Sequence, residues 1–300
     1  MKSPAIAQLP EPGPGYLQGR SNLGRIPARL DLGGAGFVGL LLVAVFFLIA
    51  LGAWMGLLGQ EWAAADGGRW ESVSARHWFG TNLPGQDIFQ RSVYSVRVAF
   101  EIGLIVAVLS TFLGTLSGAL AGWWSDSWTD EIVVFACGVI DSIPFYLFVA
   151  ALAYALQGSP WSMHIAMVGT FWTTTSRLVR AEVMRLKQRS FVQASLALGL
   201  PVYRVLLRHV LPNTVHILLA QLAIIFVAAI KAEVILSFLG LGVQDGVSWG
   251  LMLAESTQEV LAGQFNNLLA ASIPLLLLVL GFNLLTDALQ DAFDPRQGSA

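Results

Sequence analysis

The sequence predicts an all-α membrane protein with six transmembrane helices and both termini on one side of the bilayer. Three observations carry this. Only 12% of the 300 residues are charged and 55% are hydrophobic, whereas a soluble domain averages about 25% charged residues. Uncharged apolar runs of bilayer-spanning length recur along the chain. The basic residues collect in one set of connecting segments. A formal net charge of −2 leaves no electrostatic footprint for nucleic acid.

Residues 1–35 read as a mobile cytoplasmic tail. Pro10, Pro12 and Pro14 alternate with acidic or glycine residues and Arg20, Arg25 and Arg29 follow, too few apolar groups to offset the entropy of ordering. Residues 36–58 are the first transmembrane helix. This run is uncharged for 23 residues, against about 7–15 in the apolar part of a cleaved signal. At 1.5 Å per residue it reaches about 34 Å, enough for a hydrocarbon core of roughly 30 Å. An extracytoplasmic segment, 59–97, comes next. Residues 98–290 hold the other five spans, expected near 98–123, 132–156, 162–179, 214–239 and 268–289, and 291–300 form a cytoplasmic C-terminal tail. The fourth span is free of charge only from Ser162 to Ser176, and Thr173, Thr174 and Thr175 make its inner end polar.

Six spans place both termini on the same side, and the lysines and arginines say which side. Lys2, Arg20, Arg25, Arg29, seven basic residues between Arg177 and Arg208, and Arg296 share the side of the tail. The opposite side has Arg69, Arg76, Arg91 and Arg97, and the segment Gly240 to Asn267 has none. Positive loops stay in the cytoplasm, so both termini and the 177–213 loop are expected there, with Asp66 and Asp245 outside. The single cysteine, Cys137, lies in an apolar run and has no intrachain disulfide partner. Gly114, Gly118 and Gly122 fall on one stripe of the second span. Such a stripe lets another helix approach closely, either inside this subunit or from a second one.

The longest polar interruption runs from Arg177 to Asn213, and its coupling loop, 181–213, reads as two short helices with a corner between them. Phe191 to Leu198 has no helix breaker, and Gly199-Leu200-Pro201 ends it. Glycine takes the left-handed conformation at a helix end and proline cannot continue a helix. Val202 to Val210 is expected to form the second helix, closed off before Pro212. Phe191, Ala194 and Leu198 share one side of the first helix, as suits insertion into a groove on a partner.

Gln193-Ala194-Ser195, Gly199, Arg208-His209 and Leu211-Pro212-Asn213 resemble the EAA loop of ABC-transporter permeases. His77-Trp78-Phe79-Gly80-Thr81 with Gly85, Asp87 and Arg91 is similar to the segment before the second span in the peptide- and nickel-type members. Asp141-Ser142-Ile143-Pro144, Glu233, the run Leu236 to Gly242, Ser248-Trp249-Gly250 and Asn283 to Arg296 also match that family in order and spacing. The resemblance covers residues 75–296. It implies the permease fold of a type I ABC importer with a cytoplasmic coupling helix, in a bacterial cytoplasmic membrane, importing di- or oligopeptides, nickel chelates or peptide-like antibiotics. It implies a second permease subunit, two ATP-binding subunits that bind the ATP and magnesium, and an extracytoplasmic substrate-binding protein. The residues it points to for coupling are Phe191, Gln193, Ala194, Ser195, Leu198, Gly199, Arg208, Leu211 and Pro212. Three positions depart from the family pattern: Gln193 stands for glutamate, Ser195 for alanine, and Gly85-Gln86 for a glycine-arginine pair.

The chain carries no G-x-x-x-x-G-K-[ST] phosphate loop, and its only lysines are Lys2, Lys187 and Lys231. No cofactor is expected on it, and it is expected to be no enzyme. His164 is the one histidine inside a span's outer end and no G-x-S-x-G accompanies any serine, so an intramembrane hydrolase lacks its parts. A secondary transporter would show an inverted repeat, and the chain shows none. Charges inside spans are costly and mark function or structure. Asp141 and Pro144 are translocation-path candidates, with a carboxylate bonding a neighbouring helix as the structural alternative. Glu101 is expected to pair with Lys231, which leaves Glu233, also a path candidate, free to face a cavity or a partner.

Overall fold

The structure is a computed structural model and describes residues 33–156, 159–242 and 246–293. Residues 1–32 of the expected tail, Asp245 and Asp294 to Arg296 lie outside those residues, while Gly33, Gly34 and Ala35, expected in the tail, already belong to the first helix. Every regular element described is helical. In order they are α1 (Gly33–Trp54), α2 (Ile88–Trp123), α3 (Trp128–Asp141), α4 (Phe145–Ala155), α5 (Ser162–Lys187), α6 (Ser190–Ala197), α7 (Val202–Val205), α8 (Val215–Phe238), α9 (Trp249–Leu261) and α10 (Asn266–Phe293).

Helix α2 is the centre of the bundle and packs most extensively on α5. The glycine stripe makes this possible. A Cβ at Gly114 would lie 2.5 Å from Thr175 Cβ, and one at Gly122 would lie 2.6 Å from the Arg180 carbonyl. Gly118 meets the Ser176 backbone between them. The stripe therefore serves packing within the subunit. Its register also shows that α2 and α5 run parallel, so the chain from Trp124 to Trp161 must return the length of the bundle. Helices α3 and α4 make that return, bent by 93° at the break. The break is sharper than a kink for a local reason. Ser142 and Ile143 close α3 through bonds to the Gly138 and Ile140 carbonyls. Pro144 has no amide to offer, and it disfavours helical geometry at the residue before it.

Four helical stretches are long and apolar enough to span a membrane: α1, α2, Val202–Phe238 and α10. The bent pair makes a fifth. Helix α5 is long enough at 26 residues but too polar to qualify by composition. Its polar groups are tolerated because Thr170, Thr173, Thr175, Ser176 and Glu182 are buried against neighbouring helices.

Three expected boundaries are corrected. Helix α2 begins at Ile88 rather than near residue 98, because Asp87 caps it by accepting from the Gln90 amide. Helix α5 continues to Lys187, past the expected 179. The second short helix of the loop is not closed off before Pro212. A four-residue α-helical turn, a π turn (Leu206–Val210) and a 3-10 turn (Leu211–Thr214) lead straight into α8. The wide turn accommodates the proline: the Leu211 amide reaches back to the Leu206 carbonyl, and Asn213 Nδ2 donates to the His209 carbonyl at 2.6 Å.

Helix α9 was not expected. Its signal was Ser248, whose hydroxyl accepts from the Leu251 amide at 3.3 Å and starts the helix. Glu255 of α9 grips Arg91 at 2.7 and 2.8 Å, and Glu259 accepts from the Leu83 amide at 2.9 Å. His77 Nδ1 and Asp87 lie 2.8 Å apart. These contacts fasten residues 59–87 over one end of the bundle.

Candidate functional site

The site is built on α6 and the ends of the helices beneath it. A separate apolar core forms there from Trp123 of α2, Val179, Val183 and Leu186 of α5, Val192 of α6, and Val205, Leu206 and Val210. Val192 is the single fully buried side chain of α6 and, with the half-buried Leu196 packed beside it, seats the short helix on the bundle. Lys187 ties the floor together by donating to the Trp123 carbonyl at 2.6 Å. Arg180 holds Asp130 of α3 through bonds of 2.6 and 2.7 Å.

Gly199 ends α6 with φ +78°, the left-handed conformation expected for it. Its amide donates to the Leu196 carbonyl and that of Leu200 to the Ser195 carbonyl. This pair of bonds satisfies the last carbonyls of the helix and turns the chain into Pro201. Phe191, Gln193, Ala194, Leu198 and Gly199 are exposed, Leu198 at 83%. Ser195 is half-buried and its hydroxyl donates to the Phe191 carbonyl at 2.8 Å. Arg208 and Pro212 are exposed and Leu211 is half-buried against the small core. The arrangement is a short helix, rigidly seated by one face, that presents apolar side chains to the outside.

Residues 114–299 match the family model described as a binding-protein-dependent transport system inner membrane component. The chain belongs to this family. It is 34% identical over 224 residues to the dipeptide transport system permease protein DppC of Bacillus subtilis (strain 168), covering 74% of this chain and 70% of that protein. It is 33% identical over 264 residues to the dipeptide transport system permease protein DppC of Alkalihalophilus pseudofirmus, covering 87% and 86%. To the oligopeptide transport system permease protein OppC of Bacillus subtilis it is 32% identical over 224 residues, covering 74% and 73%. The chain is thus a multi-pass permease subunit of an ABC transport system and not an enzyme.

In this inner membrane component the departure at Gln193 has a local use. Its amide nitrogen donates to the Lys187 carbonyl at 2.8 Å, joining α6 to the end of α5. An ionised glutamate accepts only and forms no such bond.

The path candidates separate. Asp141 and Pro144 are both exposed at the bend. Asp141 accepts from Thr173 Oγ1 at 2.9 Å and pairs with Arg177 at 2.7 Å, so it ties α3 to α5 while staying open to its surroundings. Glu233 is corrected. It is 2% exposed and accepts from the Ser237 hydroxyl one turn on, facing the interior of the subunit rather than a cavity. The Glu101–Lys231 pair is also corrected. Glu101 lies 3.9 Å from Arg97 on its own helix, and Lys231 projects elsewhere, into a cleft between α8 and α10. Helix geometry explains the miss: which way a face points depends on packing, which residue spacing along one helix leaves open.

Proposed function

We propose that this chain is one of two permease subunits of an ATP-driven peptide importer in a bacterial cytoplasmic membrane. The observation that carries the reading is α6: an apolar face left exposed on a helix that its own small core holds rigid. A free loop has no need of that seat, whereas a helix pushed by a partner does. Two ATP-binding subunits, which hold the ATP and magnesium, receive α6 in a groove. Their closure on ATP moves α6, and Val192 passes the displacement to the ends of α2 and α5. The unbroken helical path from Val202 through Phe238 carries it into α8.

Six spans with both termini and Gly199 cytoplasmic agree with the distribution of basic residues and with the parallel run of α2 and α5. A second, homologous permease completes the pathway, and a soluble binding protein delivers substrate to the opposite face. Peptides are the substrate class favoured by the names of the relatives. The test is uptake of a labelled dipeptide into vesicles holding the complete transporter, with binding protein outside and ATP inside. ATP-dependent accumulation that stops when the binding protein is omitted is the expected result. Accumulation without either component would reject the reading.

A further inference from the structure

Helix α8 carries two charges in its apolar run, Lys231 and Glu233; Glu233 is buried, and the lysine does not face the protein interior. Ile224, Ala228, Lys231 and Ile235 follow one another at spacings of four, three and four residues, which places them on one stripe. Lys231, Ile224 and Ile235 of that stripe are exposed. Across from it α10 presents Asn283, Asp287 and Gln290, also exposed and also one turn apart. The two stripes enclose an open cleft of about 410 Å³, lined by Ile224, Val227, Lys231, Asn283, Asp287 and Gln290 among others.

A lysine on a spanning helix is tolerated facing water, facing a countercharge, or reaching the interface with its long stem. Neither Lys231 nor Asp287 is in an ion pair among the described residues. Reaching the nearer interface is opposed by geometry. Lys231 lies seven residues before the end of α8 at Phe238, and the Cα–Cβ bond of a helix tilts toward its N-terminus, away from that end. The stem therefore directs the ammonium into the cleft. A face with an ammonium, a carboxylate and two carboxamides is unsuited to lipid. Its chemistry is that of a zwitterion's partner: cation for a carboxylate, anion for an ammonium, amides for peptide groups. The volume falls within the roughly 300–1,000 Å³ of small-molecule sites.

We propose that the α8–α10 cleft is a substrate subsite on the translocation path, where Lys231 receives the free carboxylate of a peptide and Asp287 faces its ammonium end. This rests on the peptide-importer reading and adds to it a selectivity element within the permease. Asp141 and Pro144, at the α3–α4 bend, are not part of it.

The test uses the complete transporter in vesicles with saturating, substrate-loaded binding protein, so that delivery does not limit. Uptake of a short peptide with a free C-terminal carboxylate is compared with uptake of its C-terminal amide, for the parent, Lys231→Gln and Lys231→Arg. The expected result is a loss of about tenfold for the free acid in Lys231→Gln, little change for the amide, and near-parent selectivity in Lys231→Arg. A second arm places Lys231→Cys in a Cys137→Ala background and asks whether a charged, water-soluble thiol reagent modifies it in the assembled complex. Modification is expected, with protection by the free-acid peptide. No modification, or equal losses for acid and amide, overturns the proposal. So does failure of Lys231→Gln to assemble where Lys231→Arg assembles normally, which would make the lysine an ion-pair partner of the second permease. If the parent carries neither peptide, the peptide reading has failed, and the thiol arm still decides whether this cleft is wet.

Discussion

Asp141 at the end of α3 and Arg177 in α5 form a 2.7 Å ion pair beside the 93° bend. The carboxylate also accepts from Thr173 Oγ1. Both charged side chains keep more than a third of their surface open. A pair that open to water is worth at most about 1 kcal/mol, and surroundings of lipid or partner subunit would raise it. Asp141→Asn retains an acceptor for Thr173 and removes only the charge. The expected outcome is a subunit present in the membrane at near-parent abundance with reduced transport, read by immunoblot and uptake together. Equal loss of both would assign the pair to structure alone, and parent-like values for both would remove it from either role.

Packing of α2 on α5 depends on bare backbone at Gly118, where a Cβ would strike the Ser176 backbone. Gly118→Leu should separate the two helices and lower the yield of folded, detergent-stable subunit several-fold. Gly138→Ala is the matched control, since a Cβ there meets nothing within 4 Å. On α3 it should be neutral or stabilising by up to about 1 kcal/mol through helix propensity. Thermal unfolding of the two purified variants against the parent checks both signs.

Beneath residues 59–87, Arg91 of α2 and Glu255 of α9 are joined with an asymmetry that can be read out. Arg91 is 3% exposed and Glu255 32%. Removing the carboxylate strands a buried guanidinium, at about 3–5 kcal/mol for a fully buried pair and less here. Removing the arginine leaves a glutamate able to hydrate. Glu255→Ala should therefore loosen residues 59–87 more than Arg91→Ala. Faster trypsin cleavage at the exposed Arg69 and Arg76, ranked in that order, is the expected measurement.

Coupling should be graded by the backbone at position 199. Nothing lies within 4 Å of a Cβ there, so a substitution is opposed by the positive φ alone and not by a clash. Gly199→Val should cost on the order of 1–3 kcal/mol and tilt α6, and Gly199→Asn less, since asparagine tolerates that conformation. Ala194→Arg acts by a different route, placing bulk and charge on the exposed face. Gly199→Val and Ala194→Arg should both lower substrate-stimulated ATPase activity and uptake, with Gly199→Asn intermediate. Full stimulation in the valine and arginine variants, with the ATPase subunits still co-purifying, would mean that α6 is not the connection.

Sidedness is checked by cysteines at Asp66 and Gly199 in intact cells. Labelling by an impermeant reagent is expected at 66 and not at 199. The reverse pattern would invert the topology.

How far the sequence alone reached follows from the range of the forces involved. The apolar runs and the glycine corner at 199 are local: burial in lipid and a positive φ act within a few residues of their cause. These were legible, as was the face of α6. Helix α9 was legible in principle from Ser248, yet its role was not, because the partners of Glu255 and Glu259 lie more than 160 positions away. The same limit explains Glu233 and Lys231. Both are charges on one apolar helix, two residues apart, and nothing in that spacing says which is turned inward. The tertiary packing of α8 against α2, α9 and α10 decided it. It buried the carboxylate beside Ser237 and left the ammonium in the cleft that Asp287 also lines, because a helix's rotation about its axis is set by the surfaces it packs against.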